Sequence, residues 1–172
     1  MSKIILVTLF RFIILVFVQV FLLKNTGYYN LATPFIYILF ILLLPFKIPN
    51  ALLFLLSFIA GMTVDAFYDT PGINAAACTL MAFVRILFIS VTVQKDGFDN
   101  EPDPSLSNMG FRWFLFYTCL LTFFHHSILF LLETFSLYEI HYTFIRVIFS
   151  SLLTVFLILV CEFIFFRKKE RR

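Results

Sequence analysis

The apolar residues of this chain fall in six long runs separated by polar breaks. Residues 4–23 form the first run, and about 20 apolar residues suffice to cross a bilayer core. A secretory signal peptide is the rival reading. Arg11 and Gln19 inside the run, and the lack of an A-x-A-like cleavage site, count against it. Residues 31–46 form the second run, with Pro34 near its start and Pro45 near its end. At about 16 residues it is short for a spanning helix. A full helix is expected here, and a partly re-entrant segment is the alternative. Residues 51–68 and 73–93 are the third and fourth spans, and they flank a tight turn at Asp69-Thr70-Pro71-Gly72. Residues 94–110, with Asp96, Asp99, Glu101 and Asp103, read as a flexible acidic loop. Residues 111–135 are the fifth span, with Trp113 and Tyr117 near its start as expected interfacial anchors. Residues 142–166 are the sixth. The pattern predicts an all-α integral membrane protein, a single domain built as a six-transmembrane-helix bundle.

Composition sharpens this. The 172 residues are 62% hydrophobic and 13% charged, with a mean hydropathy of +1.00. Soluble domains are about 45–50% apolar and about 25% charged. The partner that composition implies is the lipid bilayer. The net charge of +3 sits largely in one tail, Arg167, Lys168, Lys169, Arg171 and Arg172. That placement is the positive-inside signature rather than a basic patch for nucleic acid, and no nucleic-acid partner is expected. With six spans both termini share a side. That side gathers Lys3, Lys47, Lys95, Arg112 and the tail, while only Lys24 lies in an opposite loop, so both termini are expected in the cytoplasm. The three cysteines, Cys78, Cys119 and Cys161, all lie in predicted spans and suggest neither a disulfide framework nor a metal site.

Charges inside spans are costly and imply partners or a wet cavity. Asp65 lies about 6 Å below the Asp69 turn and Arg85 about 20 Å below it, too far apart for an ion pair. Asp65 is expected to meet backbone N–H groups at the start of the fourth helix, near Asn74. Arg85 is expected to reach toward Glu162, with Arg11 competing at a similar depth. Glu133 and Arg146 flank the last outer loop as a further candidate pair. These charges either lock the helices together or line an outward polar pocket.

His125 and His126 invite a metal reading, but adjacent helix residues diverge by about 100°. One interior histidine and one at a helix interface is the expectation, with no metal site. The sequence carries no H-E-x-x-H pattern, no Ser/His/Asp set, no Gly-rich phosphate loop and no paired catalytic carboxylates. An enzymatic role and a cofactor are therefore not expected.

The densest polar and small residues lie between Gly61 and Arg85. Gly61 and Asp65 share a helix face that Ser57 extends. Pro71 fixes φ, Gly72 permits positive φ, and Asp69 is placed to cap the next helix. Ala75, Cys78 or Thr79, and Ala82 then set small side chains at helical spacing. This stretch, Gly61, Asp65, Asp69, Pro71, Gly72 and Arg85, resembles the rod shape-determining protein MreD family, and the length, the six runs and the basic end agree with it. The resemblance implies a non-enzymatic protein of the bacterial cytoplasmic (inner) membrane, part of the cell-elongation machinery. It would bind the MreC scaffold and help organise peptidoglycan synthases and transpeptidases with MreB. It also implies a fold like the S components of energy-coupling-factor vitamin transporters, so a small-molecule-binding subunit is the alternative.

Overall fold

The computed structural model describes residues 2–24, 32–96, 103–135 and 140–165. The described chain is all-helical. Helix α1 (Ser2–Phe17) continues into a π-turn (Val18–Leu23). A 3₁₀ turn (Ile36–Ile38) leads into one turn of helix, α2 (Leu39–Leu42). Then come α3 (Asn50–Tyr68), α4 (Ile73–Asp96), the short α5 (Leu106–Met109), α6 (Phe111–Thr134) and α7 (Ile140–Phe165). Five helices are long and apolar enough to cross a membrane. Their outward faces carry Phe10, Phe116, Phe149, Leu152 and Phe156, the side chains that hydrocarbon accepts and water does not.

The second apolar run departs from the expected full helix. Only Ile36–Leu42 is helical, and it divides between 3₁₀ and α geometry. The run nevertheless traverses the bundle. Thr33 N–H donates to Ser150 Oγ, while Lys24, just upstream, donates to the Phe67 carbonyl near the C-terminal end of α3. Leu44 and Pro45 lie at the other end, just before α3 begins. Over that interval α3 rises about 28 Å, close to a bilayer core. The run therefore passes from one end of the bundle to the other without being a spanning helix. Every residue from Phe35 to Leu44 is buried. Burial and irregularity go together: in lipid an unpaired N–H or C=O costs several kcal/mol, so broken backbone survives at membrane depth only inside protein or along a cavity.

Two other expectations change. Residues 103–110 are folded rather than loose: Asp103 Oδ1 accepts from Ser105 N–H and Asn108 Nδ2, and α5 follows. Tyr117 is no interfacial anchor; it is fully buried, with Trp113 stacked on it at 4.8 Å. The basic tail and residues 97–102 of the acidic loop lie outside the described residues.

Candidate functional site

The polar groups of the spans collect along the broken crossing and along the α3–α4 hairpin. In the hairpin, Gly61 faces the start of α4. A Cβ at that position would fall on the Ala75 backbone and within 2.6 Å of the Asn74 carbonyl carbon. Only glycine lets the two backbones come this close. One turn later Asp65, 4% exposed, closes the junction. Its Oδ1 accepts from Asn74 N–H at 3.0 Å, Asn74 Nδ2 at 3.0 Å and Thr70 Oγ1 at 2.5 Å; its Oδ2 accepts from Ala75 N–H at 2.9 Å. A carboxylate here satisfies orphan donors of the helix N-terminus and meets the positive end of its dipole. Asp65 thus sits where its depth in the sequence placed it. The capping role expected of Asp69 is taken by Asp65 instead. Asp69 ends α3 in the left-handed region, φ 56°, its N–H bonded to the Asp65 carbonyl. Gly72 has φ 82°, the positive value expected of it. Ala75, Cys78 and Ala82 are buried, and Thr79 turns partly outward to bond its own helix at Ala75.

Arg85, 2% exposed, does not reach Glu162. Its Nη2 donates to the Leu44 carbonyl and, at 3.4 Å, to the Pro45 carbonyl; its Nε donates to Tyr117 Oη at 3.0 Å. Tyr117 O–H in turn donates to the Leu42 carbonyl at 2.9 Å. The guanidinium, with five donors in a planar fork, therefore serves carbonyls that a continuing helix would have used itself. Glu162 instead accepts the Leu106 N–H at the start of α5 at 3.1 Å, and Arg11 acts on it only through space. The expected Arg85–Glu162 pair is absent because the break after Leu42 leaves open carbonyls nearer to Arg85. Glu133 and Arg146 do pair, at 3.3 Å, and this is the one ion pair among the described residues.

The upper part of the crossing is held in the same way by neutral groups. Gln19 Nε2 donates to the Pro34 carbonyl at 3.1 Å and to Tyr68 Oη at 2.8 Å. Phe35 N–H donates to Thr154 Oγ1 at 3.1 Å, whose hydroxyl faces His126 Nε2 at 3.2 Å, while His126 Nδ1 meets the Thr122 carbonyl at 2.9 Å. Tyr37 O–H donates to Asn74 Oδ1 at 3.0 Å, and its oxygen lies 3.0 Å from His125 Nε2. Asn74 is thereby shared between Tyr37 and Asp65, which joins the crossing to the hairpin. His125 faces the crossing and His126 faces α7. No group of three or more His, Cys, Asp or Glu side chains is placed to hold a metal among the described residues.

Sequence reasoning had not marked Gln19, Tyr37, Tyr117, Ser150 or Thr154 as supports. The available signal was modest: each is a polar side chain within an apolar run. Their common target, a broken backbone, was hidden by the apolar character of the second run.

At the Tyr68–Thr70 end a cavity of about 320 Å³ opens among Lys24, Asn74, Glu133 and Arg146, with Phe35 and Phe130 as apolar walls. Arg146 lies 4.4 Å over the Phe130 ring. Asp65, expected on such a cavity, is turned into the hairpin.

Five long apolar helices and a buried, partly extended crossing define a multi-pass helical membrane protein. No family model, curated protein or solved structure matches the chain.

Proposed function

We propose that this chain is a non-enzymatic docking subunit of the bacterial cell-elongation complex in the cytoplasmic membrane, with both termini cytoplasmic. It would bind MreC and help position peptidoglycan synthases. The observation that supports this reading is the use made of the motif residues. Gly61, Asp65 and Arg85 are all buried and all occupied by contacts within the chain. Their work is to make the hairpin and the broken crossing one rigid body, leaving apolar outer faces for a partner's single membrane helix. Lys47 and Arg112 lie at one end of the bundle, and Lys24 and the Glu133-paired Arg146 line the cavity at the other. The test is co-purification with MreC from membranes in mild detergent. Recovery of a stoichiometric complex is expected, and loss of MreC under conditions where the chain stays folded would refute the docking role.

The cavity beside Asn74, Glu133 and Arg146 favours a second reading, a small-molecule-binding subunit like the S component of a vitamin transporter. Its volume is at the lower end of ligand pockets, which run from about 300 to 1,000 Å³. A saturable rise in melting temperature with a vitamin would favour it.

A further inference from the structure

A second cavity, of about 650 Å³, lies at the opposite end of the broken crossing, between α1 and α3. Phe12 of α1, Phe40 and Leu44 of the crossing, and Leu52, Leu56 and Ile59 of α3 form its walls. Its origin is the break itself. From Ile36 to Leu42 the crossing is helical, a cylinder about 10 Å across with its side chains. From Leu43 to Pro49 it is thinner, non-helical chain, and the slot is the room that a continued helix would have filled.

Three features specify what fits. The wall is apolar except for Thr8 and Lys47. Along α3 its wall runs from Leu52 to Ile59, seven rises or about 10 Å, about a third of a hydrocarbon core about 30 Å thick. Lys47 stands exposed at the interfacial end, with no hydrogen bond or ion pair among the described residues. A slender apolar body carrying a negative head at the Lys47 end matches both the lining and the charge. We propose that this slot holds one acyl chain of an anionic phospholipid from the Lys47-side leaflet, its headgroup against Lys47. This does not depend on the docking role proposed above.

Native mass spectrometry of the full chain, released from bilayers of equal phosphatidylglycerol and phosphatidylcholine, tests it. One retained lipid is expected, with phosphatidylglycerol preferred. Lys47→Gln should lower that preference about fivefold, the effect of one interfacial cation on an anionic lipid. Leu56→Trp and, from the other wall, Leu9→Trp should each expel the lipid while leaving the melting temperature within a few degrees. Two variants guard against one that folds poorly. Equal retention of the two lipids by the wild type, undiminished lipid in both filled variants, or recovery of a partner helix or a second copy in the slot would each overturn the proposal.

Discussion

The α3–α4 hairpin and the broken crossing solve the same problem in opposite ways. In the hairpin the backbone satisfies itself, and specificity comes from bringing two regular helices unusually close at Gly61 and sealing the end with Asp65. In the crossing the backbone does not satisfy itself, and side chains borrowed from the π-turn after α1 and from α4, α6 and α7 supply what is missing. A regular helix needs small neighbours; an irregular one needs polar neighbours. This difference explains why buried Arg, Tyr, Gln, His and Thr side chains cluster around residues 33–45. Arg85 accordingly takes backbone carbonyls as its partners instead of an opposite charge.

The largest effect is expected from breaking the crossing at its anchor. Arg85→Met leaves the Leu44 carbonyl and Tyr117 short of a donor, a loss on the order of 3 kcal/mol or more. Arg85→Lys should recover only part of it, because an ammonium cannot span the fork. Thermal unfolding in detergent measures the loss, and hydrogen exchange should locate it at residues 42–46 with α3 and α4 still protected. On the hairpin side, Gly61→Val forces the helices apart and should cost about 2–3 kcal/mol, with the disturbance now centred on Ala75. Asp65→Asn keeps the shape but replaces one acceptor oxygen by a donor aimed at N–H groups, about 2 kcal/mol by the same melting assay.

These two regions were unequally legible in the sequence. The hairpin could be read because its devices are local: Gly61 and Asp65 four residues apart, a Pro-Gly turn, and a depth that put Asp65 at the start of the next helix. The crossing could not, because hydropathy scores Leu31 to Phe46 as it scores a helix, and an apolar run says nothing of how its carbonyls are paired. Two faint signs were present, the run's short length and its flanking prolines Pro34 and Pro45. The sequence shows that Arg85 needs a partner and points to a carboxylate, since open carbonyls become visible only once the helix is known to break. Tyr117 looked interfacial by its place near the start of α6, whereas that part of α6 packs against the crossing.

Smaller effects sharpen the comparison. Thr154→Val removes the acceptor of the Phe35 N–H and the contact to His126 at nearly constant volume, about 1–2 kcal/mol, with faster exchange confined to the Phe35 amide and its neighbours. Arg146→Ala breaks the half-buried pair with Glu133 and the contact over the Phe130 ring, belongs to neither region, and should cost about 1 kcal/mol in melts whose difference shrinks only in part as salt rises.

If the broken chain from Thr33 to Pro45 carries the run across the membrane, Lys24 and Lys47 stand on opposite faces. In a background with Cys78, Cys119 and Cys161 replaced, single cysteines at Lys24 and Lys47 can be labelled with a membrane-impermeant maleimide from either side of sealed vesicles. Labelling of the two positions from opposite sides is predicted; labelling of both from the same side would contradict the account.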